Sequence, residues 1–382
     1  MMGHKKTKLL SVVIIFLLTC ICINTIAKAS TQSVNFNGVT LDVARQHYST
    51  ATLRQFIDII HQDNGQFLQL HLTDSNDFGI ENSLVGQTKS RAQFHDGTWE
   101  NKKTKQKFYS LNQMNNLVNY AKKKNVTIIP EVDTPAHVGG LIKDMQAENM
   151  NKTVTNISYN NSYYGREIKL NSTGANFVIH LDQMVAKPFI NQNNARFHLG
   201  GDEFSNSNKP NSAYVYYLNT TSKAISKMNM IPEAWNDGFL NSEVNQINKN
   251  IHITYWNWTG DETGKAANQR RKSRASLPTL LKSGYKVLNY NDYYLYFILN
   301  KTNLKTKNIK YMSSDMKSNW NPKMWNNDNT SHIKNITNIE GSSVSIWGDP
   351  SHTFPQKQVL NSSTKFINTF FKICNEFTQK NN

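Results

Sequence analysis

Cysteine is almost missing from this chain. Of three in 382 residues, Cys20 and Cys22 sit inside the leading apolar segment, so a processed chain would keep Cys374 alone and could form no intrachain disulfide. Stability must then come from packing. Long apolar runs are as scarce: after Leu9–Ile23 no stretch reaches the length needed to span a bilayer. Acidic residues are the third shortage, 27 against 43 basic ones, for a formal net charge of +16. The lysines are scattered or in short clusters such as Lys122–Lys124, without a helix-turn-helix, zinc-finger or RNA-binding pattern, so specific nucleic-acid recognition is not expected. Also missing are His-Glu-x-x-His, paired cysteines, calcium-loop spacing and a glycine-rich phosphate loop after a strand. No metal and no cofactor is expected.

What is present begins with Lys5, Lys6 and Lys8, then the apolar run, then Ala27, Lys28 and Ala29 before Ser30. That order predicts a secretory signal peptide over 1–29 and a secreted, extracellular or wall-associated protein, with a lipid anchor at Cys20 and an uncleaved N-terminal anchor as the alternatives. Residues 30–37 are expected to be a short linker, 38–378 the body and 379–382 a polar tail. The basic surface suits electrostatic retention near anionic cell-wall polymers or extracellular DNA, and a monomer is the expected state.

From residue 38 onward strand-like runs alternate with amphipathic segments. Strands are predicted at 39–44, 67–72, 126–130, 196–199, 231–235, 251–256, 285–290 and 343–347. Helices are predicted at 50–61, 111–124, 170–187, 211–229, 276–282 and 356–377, with an Asn-rich loop over 149–170. Eight such units without internal repeats predict a single (β/α)8 TIM barrel, whose active site lies at the C-terminal ends of the strands. Arg45, Asp74, Asp133, Asp202, Glu203, Trp235, Asp237, Trp256, Tyr296 and Trp347 all fall at or just beyond those ends.

One stretch organises the rest. Residues 195–206 run from an apolar strand through Gly200 and Gly201 to adjacent acids, Asp202 and Glu203. An Asp-Glu pair is most often a solvated loop; here His198, the glycines and Phe204 leave little loop character. Neighbouring acids at a strand end point in different directions, so each can take its own role.

His198-Leu199-Gly200-Gly201-Asp202-Glu203-Phe204 resembles the active-site motif of family 20 glycoside hydrolases, the β-N-acetylhexosaminidases, and within that family the secreted enzymes that degrade biofilm poly-β-1,6-N-acetylglucosamine. Leu41–Arg45, Leu70–Asp74, Ile129–His137, Trp235–Gly238, Ile253–Trp256, Val287–Tyr296 and Ser345–Gly348 follow in the family's order, so the likeness spans roughly residues 38–375. The resemblance implies substrate-assisted retaining hydrolysis, in which the sugar's own 2-acetamido oxygen attacks and an oxazolinium ion forms. Glu203 would be the general acid and then the base, with a raised pKa supplied by partial burial. Asp202 would orient the acetamido group and stabilise the ion. Trp235, Trp256 and Trp347 would box the sugar, although a strand-end tryptophan taken singly is more often core packing. Tyr296 would donate to the acetamido oxygen. Arg45 and Asp349 would bind hydroxyls of the terminal sugar and so favour chain ends, with a structural salt bridge as the other account of Arg45. Asp237 would also reach a hydroxyl. Asp133 and His137 would position the acids, a buried, satisfied histidine being the alternative for His137, and His198 would support them. Asp74 and Glu81 are expected to brace their loop.

The chain departs from those biofilm-degrading members at Asp349 (Glu there), Asn206 (Tyr) and Gly264 (an acid), which bears on substrate preference rather than chemistry. Three functions are therefore carried forward: hydrolysis of poly-β-1,6-N-acetylglucosamine, hydrolysis of chitooligosaccharides or other β-linked N-acetylhexosamines, and non-catalytic binding of cell-wall glycan.

Overall fold

The computed structural model describes residues 34–75, 77–161, 165–260, 262–326, 331–349 and 351–381. The predicted signal peptide lies outside the described residues, as do 30–33 of the predicted linker.

The chain opens with β1 (Gly38–Asp42), α1 (Thr50–Gln62) and β2 (Phe67–His71). An insert follows, a three-stranded antiparallel sheet of β3 (Ala92–His95), β4 (Thr98–Asn101) and β5 (Lys107–Phe108). Then come α2 (Leu111–Lys123), β6 (Thr127–Glu131), α3 (Gly139–Ala147), α4 (Asn151–Ile157), the hairpin β7 (Ser158–Asn161) and β8 (Gly165–Ile168), and α5 (Ser172–Ala186). β9 (Arg196–His198), α6 (Ser212–Ser226), β10 (Ile231–Trp235), β11 (His252–Tyr255), α7 (Gly264–Ser273) and α8 (Leu277–Lys282) continue the alternation. The chain closes with β12 (Val287–Asn289), α9 (Asp292–Leu295), β13 (Tyr296–Ile298), α10 (Thr306–Asn319), β14 (Ile339–Trp347) and α11 (Gln356–Asn381).

Strands β1, β2, β6, β9, β10, β11, β12 and β14 pair in parallel, and β14 returns to β1 with Gly38 opposite Ser343. The sheet is therefore a closed (β/α)8 barrel. Its helices start where the sequence supplies caps. Ser49 accepts from Thr52 N, Ser110 and Gln113 form a capping box, and Ser276 caps α8 with Pro278 in the first turn. In α1 the buried Leu53, Phe56, Ile57 and Ile60 fall at helical spacing and face the barrel, each contributing about 1.5–3 kcal/mol by leaving water.

Besides helices α3, α7, α9 and α10 and the sheet of the insert, none of which was predicted, four features differ from the sequence reading. The Asn-rich 149–170 stretch is a helix plus a hairpin, stabilised by the long-range bond from Ile168 N to Pro135 O (2.9 Å). Residues 34–37 are no linker: Val34 is buried, Phe36 N donates to Glu340 O (2.9 Å), and the Phe36 ring stacks on Phe67 at 4.8 Å. They seal the N-terminal end of the barrel, where Arg196 lies 3.8 Å over Phe36 and bonds Glu233 (2.7 Å) and Glu340 (2.9 Å). At the other terminus α11 runs to Asn381, through most of the predicted tail. The strand β13 was not foreseen either. Where β12 stops, β13 takes over the same edge of β14, pairing Tyr296 with Ser345 and Ile298 with Trp347.

Candidate active site

The barrel interior is polar at its centre. Glu131, at the end of β6 and fully buried, accepts from Gln69 Nε2 (2.8 Å) and Trp235 Nε1 (2.7 Å), and lies 3.2 Å from His71 Nδ1. Burial alone would raise its pKa, but His71 and His198 with these hydrogen bonds bring it down to about 2. This hub holds the floor on which the catalytic layer stands.

Above it, at the C-terminal ends of the strands, a cavity of about 450 Å3 is lined by Arg45, Asp74, Asp133, His137, Asp202, Glu203, Trp256, Tyr296 and Trp347 among others, a size suited to a small-molecule site. The loop after β9 puts the acid pair there. Gly200 and Gly201 have φ of 74° and 100°, and a Cβ on Gly200 would meet Asp133 Oδ1 at 1.9 Å, so only glycine fits. Gly201 N donates to that same Oδ1 (2.9 Å). Glu203 (φ 52°) and His137 (φ 55°) are also left-handed, backbone strain concentrated where the polar groups converge.

A relay of charges runs across the cavity wall. Arg45 bonds Asp42 (2.9 Å) and Asp74 (2.5 Å); Asp74 lies 3.6 Å from His137 Nδ1; His137 Nε2 lies 3.3 Å from Glu203 Oε2 and 4.0 Å from Asp133. Burial opposes a charge on His137, yet Asp133, Asp74 and Glu203 outweigh it and hold the imidazolium. For Asp74, too, burial is overcome, by His137, His71 and Arg45, and its carboxyl sits well below the usual range.

The sequence expectation of a raised Glu203 pKa is overturned in the free cavity. Burial does push Glu203 up, but the hydrogen bond and charge of His137, with Arg45 behind it, lower it overall. The proton of the pair therefore rests on His137. Asp202 goes the other way: burial and the neighbouring Asp133 raise it well above an ordinary aspartate, and Asp133 is itself raised by burial. One carboxyl pair is pushed towards sharing a proton while Glu203 stays ionised, a division of roles set by environment.

The aromatic residues divide. Trp256, Tyr296 and Trp347 line the cavity; Tyr296 lies 5.5 Å from Trp347 edge-on and 6.4 Å from Trp256 with the rings nearly parallel. Burial raises the Tyr296 hydroxyl well above its usual pKa, so it remains a donor. Trp235, expected in the box, is 1% exposed and packs one layer lower, against His198 (4.7 Å) and Tyr290 (5.3 Å). His198 is fully buried, its Nδ1 accepting from Gly200 N (3.1 Å) and its Nε2 bonding Thr254 Oγ1 (2.7 Å), so it fixes the glycine turn rather than either acid.

Two expected sugar ligands are elsewhere. Asp237 is fully buried. It accepts from Trp256 Nε1 (2.6 Å), Arg274 (2.8 Å) and Glu203 N (3.3 Å), and thereby sets the Trp256 ring and the Glu203 backbone. Asp349 is outside the lining and accepts from Ser351 N (2.7 Å), with His352 at 3.8 Å. Glu81 braces its loop through Leu111 N (3.1 Å). Of the departures, Asn206 is exposed with φ 60° and Gly264 opens α7 with φ 56°. Sequence reasoning missed Asp42, whose carboxylate ties Arg45 to Gly348 N (3.0 Å), and Arg274, whose partner lies 37 residues away. Among the described residues the His/carboxylate groups close enough to hold a cation are His71–Glu131–Asp133 and Asp133–His137–Asp202. Both are parts of the network above, and their histidines already face carboxylates on other sides.

Paired acids facing an aromatic box at the C-terminal mouth of a (β/α)8 barrel define a class, the enzymes that cleave glycosidic bonds. The chain belongs to glycosyl hydrolase family 20: the model of that family's catalytic domain matches residues 35–360. Its fold superposes on the crystal structure of dispersin B with a TM-score of 0.83 at 32% identity, over 89% of this chain and 99% of that one. Among sequences, a chitooligosaccharidolytic β-N-acetylglucosaminidase of Bombyx mori is 28% identical over 182 residues, 44% of this chain and 27% of its own length. A lacto-N-biosidase of Bifidobacterium bifidum is 22% identical over 277 residues, 66% of this chain and 22% of its own. The chain thus spans about a quarter of the length of these curated relatives.

Proposed function

We propose that the protein is a secreted β-N-acetylglucosaminidase that hydrolyses poly-β-1,6-N-acetylglucosamine with retention, the substrate's acetamido group acting as nucleophile. The observation that carries this reading is the sharing of one cavity by Asp202, Glu203 and the Trp256–Tyr296–Trp347 box. A sugar's apolar face and its N-acetyl methyl group suit aromatic walls, and Asp202 with Tyr296 offers one acceptor and one donor to the amide. The resemblance of the chain's motifs to the family members that degrade biofilm poly-β-1,6-N-acetylglucosamine supports the β-1,6 polymer as substrate, and the leading segment supports export.

The Glu203–His137 pair supplies the proton. A bound sugar excludes water from Glu203, strengthens the upward push of burial, and draws the proton from His137 to Glu203, which passes it to the leaving oxygen. Glu203 then takes a proton from the water that opens the oxazolinium ion. As that cation forms, an ionised Asp202 is favoured and its shared proton shifts towards Asp133.

Glu203→Gln should lower turnover on β-1,6-linked N-acetylglucosamine oligomers by about 10²- to 10⁴-fold, the usual worth of a general acid. Faster cleavage of β-1,4 than β-1,6 oligomers would replace this substrate with chitooligosaccharides. Equal hydrolysis of a glucoside lacking the N-acetyl arm would remove substrate assistance.

A further inference from the structure

The segment that carries the acid pair is tied down by its backbone. Alternate N–H groups along it donate to carboxylates from three different loops: Gly201 N to Asp133 Oδ1 (2.9 Å), Glu203 N to Asp237 Oδ1 (3.3 Å) and Ser205 N to Glu167 Oε1 (2.9 Å). Asp133 lines the cavity and Asp237 sets the Trp256 ring, but the catalytic reading gives Glu167 no part. It lies on β8, in the hairpin of the Asn-rich stretch, and is 1% exposed. A carboxylate is costly to bury, so its partners show what it is there to hold.

Glu167 is aimed from both sides. Tyr159 stands opposite it across the hairpin, and the Tyr159 hydroxyl donates to Glu167 Oε2. Asn161 Nδ2 donates to Oε1, the oxygen that also receives Ser205 N, and lies 2.6 Å from Ser205 Oγ. At its base the hairpin is fixed by Ile168 N, which donates to Pro135 O (2.9 Å), two residues before His137. One hairpin therefore grips the loop that bears His137 and the loop that bears Glu203. Glu203 needs that grip. Its φ of 52° is left-handed, a conformation that a glutamate keeps only where its surroundings fix it. Phe204 stacks on Tyr214 (4.2 Å), which holds a ring, so Ser205 N is the next fixed point of the backbone after Glu203.

We propose that Glu167 is a positioning residue for the reaction: through Ser205 N it holds Glu203 at its 3.3 Å contact with His137 Nε2, and so aims the proton at the leaving oxygen. The inference rests on the catalytic reading above and deepens it. A misplacement of about 1 Å can cost on the order of 10²-fold in rate. That loss is greatest for a leaving group that cannot depart without the proton, and small for one that departs readily as an anion.

The test uses two β-N-acetylglucosaminides, one releasing 4-nitrophenol, which leaves with little help, and one releasing unsubstituted phenol, which needs the proton. The quantity read is the ratio of kcat/KM on the first to kcat/KM on the second, for the wild-type chain, Glu167→Ala, Glu167→Gln and Glu203→Gln, with thermal unfolding followed alongside. In Glu167→Ala the ratio is expected to rise about tenfold or more, towards that of Glu203→Gln. Glu167→Gln keeps an oxygen for Ser205 N and is expected to bring the ratio back to within about threefold of wild type. An equal fall on both substrates in Glu167→Ala makes the residue merely structural and overturns the proposal. So does an unchanged ratio, or a ratio as high in Glu167→Gln as in Glu167→Ala. If Glu167→Ala does not fold, Asn161→Ala, which removes a donor shared by Glu167 and Ser205, carries the same comparison. A rise of about threefold is then expected, and an unchanged ratio overturns the proposal. Wild-type inertness towards both substrates, or a Glu203→Gln ratio equal to wild type, defeats the catalytic reading and takes the positioning role with it.

Discussion

Removing Asp237 should unfold the barrel before it starves the active site. Its carboxylate is fully buried, and so is the guanidinium of Arg274, 2.8 Å away. In Asp237→Ala that guanidinium is left buried without a counter-charge, a change that costs about 3–5 kcal/mol. The indole N–H of Trp256 loses its acceptor as well, a further penalty of about 1–3 kcal/mol that overlaps the first. Against a total stability of about 5–15 kcal/mol, the loss is about a fifth or more. In urea, with a slope of about 3 kcal/mol/M, the unfolding midpoint followed by tryptophan fluorescence should fall by about 1 M or more. Replacing both partners with leucine should recover most of that, because a buried pair exchanged for apolar groups of similar size is close to neutral. If Asp237→Ala unfolds at the wild-type midpoint and instead raises KM for the terminal sugar, the carboxylate is a substrate ligand and the structural account of it fails.

Two further outcomes are expected. Glu131 ionises more readily in the fold (about 2) than its ordinary value of 4.5, so it contributes stability that is present above pH 4.5 and lost as pH falls towards 2. Glu131→Gln should be less stable at pH 7 and show a flatter decline in acid; unfolding curves at pH 7, 4 and 3 that run parallel to wild type would refute this. Trp235→Phe removes one hydrogen bond from a buried Glu131 oxygen and should cost about 1–3 kcal/mol with little change in KM, whereas Trp347→Ala should raise KM at least tenfold with the smaller effect on unfolding; the reverse pattern in paired unfolding and kinetic measurements would exchange the two residues' roles.

The barrel was legible because its signals are local. Period-two runs such as Phe67–His71 and capped amphipathic segments such as Thr50–Gln62 carry their structure in neighbouring residues. The acid pair was legible for the same reason: Gly200 and Gly201 can only precede a turn of unusual φ. What escaped was set by distance along the chain. The 151–168 helix and hairpin have polar, Asn-rich sequences whose ordering depends on Pro135. Phe36 reads as linker until Arg196 and Phe67 are brought to it. Asp237 and Asp349 were read as sugar ligands from the family resemblance, but a matching position in the chain fixes only the backbone. Arg274, which claims the Asp237 carboxylate, arrives from 37 residues further along the chain, while the Asp349 carboxylate turns back onto Ser351 N in its own loop. The direction of the Glu203 shift escaped similarly, since it is decided by His137 on a different strand's loop.

The pairing of β13 with β14 ties two walls of the sugar box to a single seam. Tyr296 rides opposite Ser345, and Ile298 opposite Trp347 itself, so the tyrosine and the tryptophan rise or sink together. The forty residues between them, from Leu299 to Asn338, can then lengthen, shorten or bend without altering the gap that the N-acetyl group must enter.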